Sequence, residues 1–197
     1  MKKEIYLYNN GIKCFKNTIF DVALARYSRF VNLHEPFEET VFEQIIINSR
    51  IDTFIDLGSA WGYYSIKAKL LNQKIKVTAF DCDKVMVRNG FKNALLNQIS
   101  DIDFRHCKIP IDTTLCDILF EIGKIDLIKI DIQGDATVAL KSANDRIFNI
   151  QNLIIGTHGT EHKECLDFLL GHGFKIKLNL TAEQIPIQPD GLIWAHQ

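Results

Sequence analysis

From Thr53 onward the chain alternates short β-branched or apolar runs with amphipathic helical patterns, and this rhythm restricts the fold more than any other feature. The runs are Thr53 to Leu57, Lys76 to Phe80, Ile102 to Cys107, Leu127 to Ile130, Asn152 to Ile155, Phe174 to Leu178 and Leu192 to Ala195. Helical patterns lie between most of them, at Tyr63 to Leu71, Lys84 to Asn97, Thr113 to Ile122, Ala136 to Ala143 and Glu161 to Leu170. Strands joined through helices pair in parallel and need cover on both faces. The expectation is an α/β protein with a doubly wound, mostly parallel seven-stranded sheet. Thr181 to Gly191 carries Pro186 and Pro189 and offers no helix, so the last two strands are expected to pair antiparallel.

The first fifty residues read differently. Helical stretches around Phe20 to Phe30 and Glu38 to Ile47 flank Pro36, which should break any continuous helix. Residues 1–50 are therefore expected to form a helical extension or lid ahead of a domain at 51–197, capping a sheet edge or folding over a ligand crevice.

Balanced charge narrows the partners. Lysine plus arginine number 23 against 24 acids, so no global field draws in nucleic acid or an anionic membrane, and neither partner is expected. Lys124, Lys129 and Lys141 could contribute locally to such a contact. The five cysteines are scattered without a Cys-x-x-Cys pair, the pattern of reduced thiols in a cytoplasmic protein. The N-terminus lacks the unbroken apolar run of a signal peptide, in keeping with a cytoplasmic location. His158 and His162 have no third partner in a recognisable zinc pattern, so no metal is expected.

The chemistry concentrates at strand ends. Asp56-Leu57-Gly58-Ser59-Ala60-Trp61-Gly62-Tyr63 is a strand ending in a glycine turn that opens a helix, the place where parallel sheets bind ligands. Gly58 and Gly62 have no Cβ to hold a ligand away. Tyr63, with Trp61 and Tyr64, offers a ring for stacking or for the core. Asp81, followed by Cys82, closes the second run, where a carboxylate can accept both hydroxyls of a ribose. Gly-x-Gly-x-x-Gly and Gly-Lys-Ser/Thr are both absent, which disfavours NAD and ATP. Asp131 ends the fourth run and His158 follows the fifth, so neighbouring strand ends would bring them together. As a pair they suit a general base that takes a hydroxyl proton, with Asp131 orienting the ring. Gln133 can orient a substrate but not accept its proton. His34 and Glu35 are candidates for substrate contact from the extension, whereas Glu38 and Glu39 read as solvated charge at a helix start.

Asp56-x-Gly58-x-x-x-Gly62 followed by Asp81 resembles the class I S-adenosylmethionine-dependent methyltransferases, a Rossmann-like fold. Glu38-Glu39-Thr40, Gly62-Tyr63-Tyr64-Ser65, Asn93, Asn97 and above all Ile125-Asp126-Leu127-Ile128-Lys129-Ile130-Asp131-Ile132-Gln133-Gly134 narrow the resemblance to the FkbM family. It implies S-adenosyl-L-methionine as cofactor, with Asp56, Gly58, Ser59 and Gly62 at its methionine end and Asp81 at its ribose. It also implies methylation of a small-molecule acceptor, O-methylation of a sugar or natural-product hydroxyl. The chain departs from the family at Gln133 and Ala136, where acids are usual, at Gly156, where a glutamate precedes the late histidine, and at Cys82 after the ribose acid. The alternatives are N-methylation and a nucleoside-binding module without catalysis.

Overall fold

The computed structural model describes residues 4–27, 32–185 and 190–197. The helical stretch expected up to Phe30 lies in part, and Pro186 and Pro189 wholly, outside the described residues. Strand β1 (Ile5–Leu7) and β2 (Lys13–Phe15) form an antiparallel hairpin, followed by α1 (Asp21–Tyr27) and α2 (Pro36–Asn48). The alternating region then runs β3 (Thr53–Leu57), α3 (Tyr63–Leu71), β4 (Lys76–Asp81), α4 (Lys84–Leu96), β5 (Ile102–His106), α5 (Leu115–Ile122) and β6 (Ile125–Ile130). It ends with α6 (Ala136–Lys141), β7 (Ile150–Thr157), α7 (Glu161–Gly171), β8 (Lys175–Leu180) and β9 (Gly191–His196). Seven strands make one sheet in the order β5-β4-β3-β6-β7-β9-β8. Its first five are parallel, and β9 pairs antiparallel with both β7 and β8, the latter as expected for the last two strands. No helix among the described residues is long and apolar enough to cross a membrane.

The N-terminal segment is not helical throughout. Its hairpin turns at Asn9-Asn10-Gly11, with Gly11 at φ 87°. An Asn-Gly turn between apolar residues is a hairpin signal in its own right. Asn97, just past the end of α4, accepts from the Lys13 amide and donates to its carbonyl, while Asn93 on α4 accepts from the Phe15 amide and donates to the Trp61 carbonyl. These two side chains fasten the hairpin to the sheet layer. Pro36 does interrupt the helical pattern, and it does so as the first residue of α2, where its missing N–H costs no hydrogen bond.

Strand alternation decides what faces what. On β3, Phe54 joins a core with Tyr8, Tyr27, Phe42, Ile45 and Ile66, whereas Ile55 and Leu57 join one with Leu119, Leu140 and Leu169. On β6, Leu127 belongs to the first core and Ile128 and Ile130 to the second. Period two then places Asp56, Lys129 and Asp131 on the first face, beneath α2 and α3, with Asp56 and Lys129 partners in register. Asp126 at the start of β6 accepts from the Asp52 and Thr53 amides and the Thr53 hydroxyl, fixing where β3 begins.

Gly58 sits at φ 84°, and a Cβ there would fall 2.0 Å from the Asp131 carbonyl oxygen. Gly58→Ala is expected to destabilise the fold by at least about 2 kcal/mol in urea titration, combining overpacking with a left-handed backbone. Gly123→Ala, where φ is 91° and ψ −133° and a Cβ meets nothing within 4 Å, should lose the backbone cost alone, about 1–3 kcal/mol, with no overpacking term.

Candidate functional site

Strand order reverses about β3, with β4 on one side and β6 on the other, and a cavity of about 850 Å3 opens at their carboxyl ends. Asp56, Gly58, Ser59, Tyr63, Asp81, Cys82, Asp131, Gln133, His158, His34 and Glu35 all line it. Eleven of the twelve residues singled out from sequence thus converge on one space. Gly62 is the exception and corrects the reading given for it. A Cβ at Gly62 would meet the Gly90 Cα at 3.0 Å and the Phe104 ring at 3.1 Å, so this glycine serves helix packing and not approach to a ligand.

The turn after β3 is shaped by its neighbours. Gly58 and Ser59 amides donate to the Phe80 carbonyl, and the Ala60 amide, on a residue at φ 46°, donates to Asp81 Oδ2 at 2.8 Å. Asp81 Oδ1 accepts from the Asp83 amide at 2.8 Å. Each carboxylate oxygen keeps a second lone pair for a ligand hydroxyl. Asp83 caps α4 through the Val85 amide. Asp56 is 1% exposed; its Oδ2 accepts from the Ser65 hydroxyl at 2.6 Å, and its Oδ1 has no hydrogen-bond partner among the described residues. Burial, against the opposing pull of Lys129 and Ser65, raises its carboxyl to about 6. Ser59 Oγ, Trp61 Nε1 and Arg26 Nε are likewise buried without partners there.

Glu38 and Glu39 are buried, at 4% exposure each, not solvated. Glu39 accepts from the His34 and Glu35 amides and from Lys67 Nζ at 2.6 Å, closing the first turn of α2 onto α3. Lys129 contributes nothing to a basic surface, being 1% exposed. Its Nζ lies 2.9 Å from Asp131 Oδ2, 3.0 Å from Glu38 Oε1 and 4.5 Å from the Tyr64 ring centre. Burial alone would lower its pKa, but Asp131, Glu38, Glu35 and Asp56 together hold it well above the ordinary lysine value. Glu35, Glu38 and Asp131 also converge closely enough to ligate a cation. The Lys129 ammonium bonds two of the three.

His158 and Asp131 do meet, at 2.9 Å between Nε2 and Oδ1. Asp190 Oδ1 approaches the other ring nitrogen, Nδ1, at 2.8 Å. Flanked by two carboxylates, with hydrogen bonds to Asp131 and Asp190 outweighing burial, the imidazole is raised to about 10. Asp131 is held well below the carboxylate range: burial opposes this, and Lys129 with the His158 contact overcomes it. The general-base role is therefore corrected. An imidazolium has no lone pair for a substrate proton at neutral pH, and an acid this stabilised is a poor acceptor. Glu161 positions the histidine, accepting from the His158 amide at 2.9 Å and, with its other oxygen, from the Ala136 amide at 3.1 Å. His162 bonds Thr157 Oγ1 and Asn179 Oδ1, both at 2.7 Å, and is engaged within the fold.

Sequence reasoning missed Arg26, Asp190 and Glu161, and misjudged Lys129, Glu38 and Glu39. Lys129 did carry a signal, a charge at an inward position between Ile128 and Ile130. Asp190 carried none, since only the fold brings it to β7.

No protein-family model matches the sequence, and no curated protein matches it. Solved methyltransferase structures do match the fold. A ribosomal protein L11 methylase from Lactobacillus delbrueckii subsp. bulgaricus superposes with a TM-score of 0.58 at 21% identity, over 84% of this chain and 81% of that one. Magnesium protoporphyrin IX methyltransferase from Synechocystis PCC 6803, solved with bound SAM, gives 0.60 at 15% identity, over 83% and 79%. TrmK of M. capricolum, solved with S-adenosyl-homocysteine, gives 0.57 at 18%, over 79% and 67%. The chain has the Rossmann-like fold of the S-adenosylmethionine-dependent methyltransferases.

A histidine raised from 6.5 to about 10 contributes stability that is complete below pH 6.5 and lost as pH rises through 10. The stability difference between the protein and His158→Ala in urea should be roughly 2–3 kcal/mol at pH 6 and shrink towards pH 10. Imidazole chemical shifts in NMR that titrate near 6.5 would contradict the two-carboxylate clamp.

Proposed function

We propose that the protein is a methyltransferase that binds S-adenosyl-L-methionine in this cavity and transfers its methyl group to a small-molecule acceptor. The observation that carries this reading is the set of buried polar atoms beside the cavity that have no partner among the described residues: Asp56 Oδ1 as acceptor, Trp61 Nε1 and Arg26 Nε as donors, and Ser59 Oγ as either. Unpaired buried polar groups are costly, and a set of both signs fits an amino-acid zwitterion. Asp56 would hold the ammonium; Trp61, Arg26 and Ser59 would hold the carboxylate. Asp81 would accept the ribose hydroxyls, and Phe80, Met86 and Ile109 supply an apolar slot for the base. The cofactor supplies an electrophilic methyl on a sulfonium. The chain's own work is to bind and orient the two reactants for in-line displacement and to keep the site poor in water.

The FkbM placement rests on the motif set of the sequence, above all Asp126 to Gly134. Hydroxyl methylation of a sugar or natural product would need a proton acceptor other than His158. A binding module without catalysis predicts cofactor affinity and no turnover, and methyl transfer from labelled S-adenosylmethionine into a metabolite extract separates the two.

Calorimetry tests the cofactor reading. S-adenosylmethionine and S-adenosylhomocysteine should both bind, and Asp81→Ala should weaken S-adenosylhomocysteine by at least about tenfold, because hydrogen bonds to a charged group are worth about 1.5–3 kcal/mol. Unchanged affinity would remove Asp81 from the ribose, and no binding by the parent protein would overturn the reading.

A further inference from the structure

Eight carboxyl side chains line the cavity, against Arg26, Lys108, Lys129 and two histidines. An acceptor bearing phosphate or carboxylate would meet this excess as repulsion. The acids are not equivalent. Asp131 is paired with Lys129 and His158, Asp190 with His158, and Asp81 is held by two backbone amides at the end assigned to the ribose. Glu35 is 6% exposed and accepts from the Tyr64 hydroxyl at 3.1 Å. Arg26 Nη2 stays 3.6 Å from Glu35 Oε1, beyond a hydrogen bond, and His34 Nε2 lies 3.5 Å from Oε2. His34 brings no charge, because burial lowers it to about 3.

Two rings, Tyr64 and His34, adjoin this carboxylate, and the others are reached through His34. His34 packs on Trp61 at 5.3 Å, on Tyr63 at 4.5 Å and on Tyr64 at 5.9 Å between centres. The faces of such rings attract cations, and the Tyr64 face already carries the Lys129 ammonium. At the cavity mouth Phe20 and Val22 are 50% and 81% exposed, and Phe20 stands edge-on against Trp61 at 5.2 Å. An acid within an aromatic wall, behind an apolar mouth, is the chemistry of an ammonium group on an apolar body.

Resting on the methyltransferase reading, we infer that the acceptor is an apolar amine whose nitrogen is received by Glu35, which takes the proton that frees the nitrogen lone pair. The ammonium R–NH3+ gives a proton to the Glu35 carboxylate, leaving R–NH2 and a neutral acid. The nitrogen lone pair then forms the N–CH3 bond as the C–S bond breaks with its electrons going to sulfur, and R–NH2+–CH3 leaves. Burial raises the Glu35 carboxyl, which eases that proton transfer. The role is one His158, held as an imidazolium, does not fill.

Three probes of one shape test the charge preference: 2-phenylethylamine, 2-phenylethanol and phenylacetate, titrated by NMR into protein saturated with S-adenosylhomocysteine. The amine should bind about tenfold or more tightly than the alcohol, and phenylacetate most weakly, as expected for a charge-assisted contact. Glu35→Gln should abolish the preference for the amine while leaving alcohol binding and S-adenosylhomocysteine affinity in place. Equal or undetectable binding of amine and alcohol, a preference for phenylacetate, or an amine preference that survives Glu35→Gln overturns the inference. Failure of the parent protein to bind S-adenosylhomocysteine overturns instead the methyltransferase reading, and this inference with it.

Discussion

The Lys129 ammonium, almost wholly removed from water, touches Glu38 of α2 on one side and Asp131 at its own strand end on the other. An unpaired charge in that position would be prohibitive, and the pairing is stabilising only because geometry and partners are supplied together. Much of the site follows from satisfying this one group. α2 must lie over the first face of the sheet so that Glu38 reaches β6, which brings Glu35 at the helix start to the cavity wall. Asp131 must remain ionised, which in turn holds His158 as a cation between Asp131 and Asp190. The N-terminal segment shares its core with the sheet: Tyr8, Phe42 and Ile45 pack in one cluster with Phe54, Leu127 and Ile154.

Charge balance distinguishes the two ends of the cavity. Near Asp81 the acid is tied to the backbone of two turns, so it is presented to a ligand in a fixed place. Near Glu35 the acids are buried among rings, and burial raises both Glu35 and Glu38. Carboxyls whose ionisation is opposed by desolvation gain most from a cation arriving beside them. That difference gives the first end the character of a rigid cradle and the second that of a receptor for positive charge.

How far the chain could be read from its letters follows from the range of each interaction. The seven sheet strands were legible because alternation and β-branched runs are local, and β3 and α3 have the bounds that the pattern assigns. The hairpin β1–β2 escaped because three-residue strands carry too little periodicity, although Asn10-Gly11 marked the turn. Strand-end residues were legible as cavity residues, since topology alone places them. Their protonation was not. His158 looks like a base until Asp190, just before β9, approaches it, and Glu38 and Glu39 look solvated until α2 is laid on the sheet. Gly62 illustrates the same limit: its need for a missing Cβ was readable, but the Gly90 and Phe104 contact that imposes it was not.

A double-mutant cycle at Lys129 and Glu38 tests most directly whether this buried pair joins α2 to the sheet. Lys129→Met and Glu38→Gln should each cost about 3–5 kcal/mol in urea denaturation, as removal of one buried partner does. Together they should cost less than the sum by at least about 1 kcal/mol, because the second change no longer strands a charge. Additivity within about 0.5 kcal/mol would mean that the two side chains act independently, and would contradict the dependence of the site on Lys129.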